Sequence, residues 1–253
     1  MSRDPFFIGY LKPPAGLRRF LPAVAVLFLA VFAASAYVAS ATQGDPGDGA
    51  FQWGWGRQVL TGRLQAEPVP VLHISESERF PAGTAVVLGG PGKVGALDRA
   101  KPLDGQVVVA EGVMLTRGDL LMLQVRGGAD GLRPAEAGTA APPLPAPDAA
   151  GRWRLTGEIC DGKCYTGAMR PGTGLAHKAC ANLCLIGGQP PIFVSAVPLN
   201  GHTFFAMGDT EGRPVANAVL NDTGTLVTIE GRVEMRGAMP YVLVDPATIE
   251  PAS

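Results

Sequence analysis

A pattern that occurs twice limits this chain more than any other feature. Val59 to Leu64 (VLTGRL) is matched by Arg154 to Ile159 (RLTGEI), and Val108 to Gly118 (VVAEGVMLTRG) by Val227 to Gly237 (VTIEGRVEMRG), with the Glu-Gly and Arg-Gly pairs in register. Each copy opens on a β-type run. After each Arg-Gly a second apolar run follows, Leu120 to Val125 and Tyr241 to Val244, so strand, tight turn and strand recur as a hairpin. A duplicated unit of about five short strands in 70–100 residues is the amount needed for a small Greek-key barrel of the OB type, whose closure removes exposed strand edges. An immunoglobulin-like sandwich wants seven strands and about 100 residues, more than the first copy offers.

Composition agrees with short strands and turns. Charged residues are only 17% of the chain, against 34 Gly and 23 Pro, and helical periodicity is scarce outside one N-terminal run. That run, Phe20 to Ala41, is uncharged for 22 residues, long enough to cross a bilayer core of roughly 30 Å. Lys12, Arg18 and Arg19 precede it, and Asp45 and Asp48 are the first charges after it. The positive-inside rule then keeps residues 1–19 in the cytoplasm and exports the rest. Ala39-Ser40-Ala41 has the small-x-small form of a signal-peptide cleavage site, but the run exceeds an ordinary h-region, which favours an uncleaved anchor. The expected organisation is a leader (1–19), a transmembrane anchor (20–41) in the lipid bilayer of a bacterial cytoplasmic membrane, a first OB-like barrel (50–127), an Ala/Pro/Gly-rich linker (128–151) and a second OB-like barrel (152–253) in the periplasm. The formal net charge of −1 gives no support to nucleic-acid binding.

The two copies differ in length at one place. Gly62 to Gly112 spans 50 positions and Gly157 to Gly231 spans 74, and the excess of 24 matches a segment that holds all four cysteines, Cys160, Cys164, Cys180 and Cys184, together with His177. The spacing is C-x3-C, twelve residues, then H-x2-C-x3-C. Asp161-Gly162 predicts a turn between the first two cysteines. Thr173 is a plausible N-cap for a short helix over LAHKACANLCLI, ended by Gly187-Gly188 and Pro190-Pro191. On that helix His177, Cys180 and Cys184 would share one face.

Three chemistries suit such a segment in an exported protein. Structural disulfides are the ordinary outcome in an oxidising compartment, with helix-to-turn bridges such as Cys164 to Cys180 or Cys184 expected over pairing within the helix. Cys164, His177, Cys180 and Cys184 could instead hold zinc tetrahedrally, or copper as a soft ion. A reactive thiol pair is the third reading, although no C-x2-C is present.

The segment from Gly157 to Val194 (GEICDGKCYTGAMRPGTGLAHKACANLCLIGGQPPIFV) resembles a motif of a largely uncharacterised family of bacterial, membrane-anchored exported proteins, whose usual form is close to GEIVDSKCYxGVMxPGxGKxHRxCAxxCIxGGxPP. A looser likeness extends to Val87–Ala96 (VLGGPGKVGA) and Arg213–Leu220 (RPVANAVL). The resemblance implies a shared set of Cys164, His177, Cys180 and Cys184, because the family form has Val at the position of Cys160. It implies no established activity.

Other motifs carry less. Gly89 to Val94 (GGPGKV) lacks the spacing and hydroxyl of a phosphate loop and reads as a turn that ends a strand. Phe51, Trp53 and Trp55 alternate as three aromatics on one side of a strand would. His73 and His202 sit in apolar strands with no acid at catalytic spacing. No G-x-S-x-G, H-E-x-x-H or haem-attachment C-x2-C-H motif occurs. The anchor-plus-barrel plan is similar to the haem chaperone of cytochrome c maturation, but that protein's His-x3-Tyr is not reproduced, since Ala181 follows His177 at that spacing; haem is not supported. The functional expectation is a non-catalytic accessory or assembly component of a membrane-associated redox complex, working with a protein partner in the membrane or periplasm. The alternatives are a metal-binding or metal-delivery protein for zinc or copper and a thiol oxidoreductase.

Overall fold

The structure, a computed structural model, describes residues 13–42 and 47–252. It has two compact units, one ending at Pro46 and the other beginning at Gly47. Positions 1–12 of the expected leader, and Asp45, lie outside the described residues. Helix α1 (Leu17–Thr42) is long and apolar enough over Leu17–Val38 to cross a membrane. Its large side chains, among them Phe20, Leu29 and Phe32, are exposed, an arrangement that water disfavours and lipid accepts.

The second unit is mainly β. Its first sheet contains β1 (Gln58–Gln65), β2 (Val71–Glu76), β3 (Ala85–Gly89), β4 (Val107–Arg117) and β5 (Leu120–Val125). β1 pairs antiparallel with β2, β2 with β3, β5 with β4, and β4 returns to β1, while β3 and β5 run parallel. These pairings close a five-stranded barrel. Alternate residues of β4, namely Val108, Ala110 and Met114, point inward and meet Leu60, Leu72 and Leu88 from the other strands, as the period of two along a strand requires.

The second sheet contains β6 (Pro147–Asp161), β7 (Pro191–Leu199), β8 (His202–Asp209), β9 (Leu226–Arg236) and β10 (Met239–Val244). Partners follow the same order, with β8 and β10 as the parallel pair. Ile159, Phe193, Phe205, Val227 and Val242 fill its core. The repeated sequence elements therefore occupy equivalent strands. Gly62 and Gly157 recur because a Cβ at either would run into a neighbouring backbone carbonyl, that of His73 or of Val194. Gly118 and Gly237 turn the two hairpins with φ of +51° and +60°, a region that glycine enters without steric cost.

A third apolar cluster joins the sheets. Val71, Val87, Leu115 and Met122 of the first meet Cys160, Ile192, Phe204 and Tyr241 of the second. Gln65 Nε2 donates to the Tyr241 hydroxyl at 2.9 Å, and the Arg236 guanidinium lies over the Tyr241 ring at 4.6 Å. The 128–151 stretch packs along this body. Leu132–Pro134 pairs with β4, Arg63 donates to the carbonyls of Ala141 and Pro142, and β6 begins at Pro147, inside the segment expected to be linker, because Asp148 and Ala149 pair with Met235 and Glu234. The aromatic alternation near residue 51 does not persist as a strand. Pairing stops at Phe51, and Trp53–Trp55 forms a tight helical turn that stacks Trp53 on Phe51 at 4.8 Å.

Candidate metal centre

The Cys/His segment connects β6 to β7, the first two strands of the second sheet. β6 ends at Asp161, which is fully buried. Its Oδ1 accepts the Cys164 backbone N–H at 2.8 Å and its Oδ2 meets His177 Nε2 at 2.9 Å. One carboxylate thus folds the Cys164 turn and fixes an imidazole, an outer-shell role of the kind that orients ligands at metal sites. The helix that follows, α2, runs from Lys178 to Ile186 with His177 as its N-cap residue. It is shorter than the sequence predicts, because the His177 N–H bonds back to Gly174 and the ring is drawn onto Asp161. The His177 nitrogen thus groups with Asp161 and Cys164.

The donors fall into two groups that share Cys164. The sulfurs of Cys164, Cys180 and Cys184 all lie within 4.8 Å of one another, and so do donor atoms of Asp161, Cys164 and His177. Cys180 and Cys184, one helical turn apart, face Cys164, whose sulfur is 3.9 Å from that of Cys184. Sulfurs bound to one tetrahedral zinc at about 2.3 Å stand about 3.8 Å apart, so the cup fits an ion with little rearrangement. All four cysteines are free thiols. Cys160 belongs to neither group. It is buried in the seam between the sheets beside Ile192 and Tyr165, donates to Glu158 at 3.2 Å, and burial pushes its thiol well up from the ordinary range.

The first sheet completes the site. The loop after β3 carries Lys93, whose ammonium lies 2.9 Å from the Cys180 sulfur and 3.7 Å from that of Cys184. Lys163, buried, donates to the carbonyls of Gly90 and Gly92 at 2.7 and 2.8 Å, and Gln189 Nε2 donates to Gly90 and Val94. Gly95 N–H donates to Gly187 at 2.7 Å. The backbones touch so closely that a Cβ on Gly95 would overlap the Gly188 carbonyl, and one on Gly187 the Lys93 carbonyl. On the other side of α2, Asn182 and Lys178 donate to the carbonyls of Leu220 and Asn221. The three segments that carry the sequence resemblance thus meet around one helix.

The thiols line a pocket of about 270 Å³ with Lys93, Lys163, Phe51, Gln124 and Met169 along its wall. The hydrogen bond from Cys164 draws the Cys184 thiol down to about 7, with the Lys93 ammonium assisting. The same bond, together with burial, pushes Cys164 up. Lys93 is raised by its bond to Cys180, and burial lowers Lys163.

The sequence marks Asp161 as half of a turn pair and does not mark Lys93, Lys163 or Gln189 as site residues. The loose likeness over Val87–Ala96 was the available signal for the Lys93 loop, which reads locally as a mere turn. His73 and His202 lie in β2 and β8 and join neither donor group. His73 is buried, with neither ring nitrogen hydrogen-bonded. No family model, curated protein or solved structure matches the chain. What the site can do therefore follows from its own chemistry.

Proposed function

We propose that this is a membrane-anchored exported protein that binds a thiophilic metal ion, zinc or copper, through Cys164, Cys180 and Cys184, and that it serves a membrane-associated redox complex as an accessory or assembly component. The observation that carries the reading is the convergence of three sulfurs within 4.8 Å on the wall of one pocket. Thiolates suit soft and borderline ions, and Asp161 supplies the buried support that such sites use. His177 acts in this reading through Asp161, not as the fourth ligand to the cup. The redox association follows from the site type and the export predicted for the chain, with the N-terminus cytoplasmic and the β unit periplasmic.

Both sheets read as OB-like barrels in this proposal, the second carrying the Cys/His insertion. Their common strand order and the single parallel pair in each support it. The motif resemblance to membrane-anchored exported proteins points the same way.

Elemental analysis of the full-length protein, purified anaerobically in detergent, tests the function together with a count of free thiols. About one equivalent of metal with Cys164, Cys180 and Cys184 protected from alkylation is the expected result. Cys164 and Cys184 blocked without metal would overturn it and favour disulfide chemistry, which the 3.9 Å approach of Cys164 to Cys184 supports as a second reading.

A further inference from the structure

We propose that the three-thiol cup is built for a monovalent soft cation, copper(I), over a divalent one. The inference rests on the metal-binding reading above and adds to it the charge and coordination number of the ion. The converging donors are all thiols, and Met169 places a thioether-bearing residue on the same pocket wall. The harder donors nearby, Asp161 and His177, are committed to each other at 2.9 Å. Thiolates accept both copper(I) and zinc, so charge and coordination number must separate the two.

Zinc completes four ligands, with a closed set in structural sites or three plus water in catalytic ones. Beside the cup stands the Lys93 ammonium, hydrogen-bonded to the Cys180 sulfur at 2.9 Å. An ammonium has donors and no lone pair, so it cannot be a fourth ligand. It holds a positive charge beside the sulfurs where a cation is wanted. Its side chain is exposed and can draw back as an ion enters, remaining as an N–H donor to a bound thiolate. Lys163 lines the same pocket and is pinned by two carbonyls, so its charge stays. Coulomb energy is linear in the charge of the ion, so each ammonium offsets part of the thiolates' attraction, and what it offsets is twice as large for a dication as for a monocation. Copper(I) needs only three thiolates in a trigonal plane. The 3.9 Å between Cys164 and Cys184 lies between the spacing of about 4.0 Å in such a plane and that of about 3.8 Å in a tetrahedron, so it is the number of donors in the cup, three sulfurs, that favours copper(I). Loading is coordination alone: the thiol protons leave as the ion enters, and its oxidation state does not change.

The test uses full-length protein in detergent, reduced and anaerobic, titrated with copper(I) and separately with zinc(II) against chromophoric chelators. One copper(I) is expected per chain, with three sulfur neighbours and no nitrogen in X-ray absorption at the copper edge. Lys93→Leu, which removes charge without adding a donor, should shift the ratio of the two affinities toward zinc by about tenfold. A copper shell containing nitrogen, or a ratio that does not move toward zinc, would overturn this inference and leave the metal-binding reading standing. Uptake of neither ion would overturn both.

Discussion

The ammonium of Lys93, on the loop after β3, sits 2.9 Å from the sulfur of Cys180 on α2, so a residue of one sheet finishes a site whose thiols belong to the other. The contact depends on the backbone approach of Gly95 to Gly188. Gly95→Ala places a Cβ against the Gly188 carbonyl and should cost about 1–3 kcal/mol by overpacking, read as a lower urea midpoint. It should also lower the preference for copper(I) over zinc, because Lys93 moves with its loop.

Asp161→Ala removes the acceptor of the Cys164 N–H and the partner of His177 together. Buried hydrogen bonds to a charged group are worth about 1.5–3 kcal/mol each, so a loss of about 3 kcal/mol is expected in chemical denaturation. Metal affinity should fall about 10–100-fold, as it does when second-shell partners are removed. Unchanged affinity in competition titrations would show that Asp161 does not support the cup.

The seam core predicts that the two sheets unfold together. Circular dichroism and tryptophan fluorescence should report one coincident transition for the β unit. Tyr241→Phe, which loses only the bond from Gln65, should lower stability by about 1 kcal/mol. Tyr241→Ala, which empties the seam, should lower it by about 3–5 kcal/mol by analogy with other buried aromatics.

Burial, with the nearby Arg236 charge assisting, lowers His73 to about 4 from its ordinary 6.5. The unfolded chain thus binds this proton more readily than the folded one. The neutral imidazole's contribution is complete above about pH 6.5, and stability declines as pH falls from there toward 4. His73→Leu should flatten this part of the pH–stability curve, and an identical slope in the variant would assign it to other groups.

The duplication was readable because its markers are backbone requirements. Gly62, Gly157, Gly118 and Gly237 stand where a Cβ or an ordinary φ does not fit, and such positions tolerate few alternatives. The membrane-compatible helix was equally legible from its length and lack of charge. The site was legible only in its thiols. Asp161 looked like half of a turn pair, and its second role depends on His177, 16 residues away. Lys93 acts across 87 residues, a separation that no local periodicity encodes. Local capping propensity at Thr173 does not set the start of α2, because the buried Asp161 carboxylate, invisible to local sequence, holds the ring of His177, the N-cap residue.

The interlock of the Gly89–Ala96 loop with Gly187–Pro191 makes ownership of the centre joint. Neither copy of the duplicated pattern possesses it alone: one contributes thiols with no counter-charge from Lys93, the other a lysine with nothing to neutralise. In the proposed reading the selectivity for the ion, not the thiols themselves, is then a joint property: a chain whose halves are not docked keeps the three thiols of one copy but loses the charge that the other sets beside them.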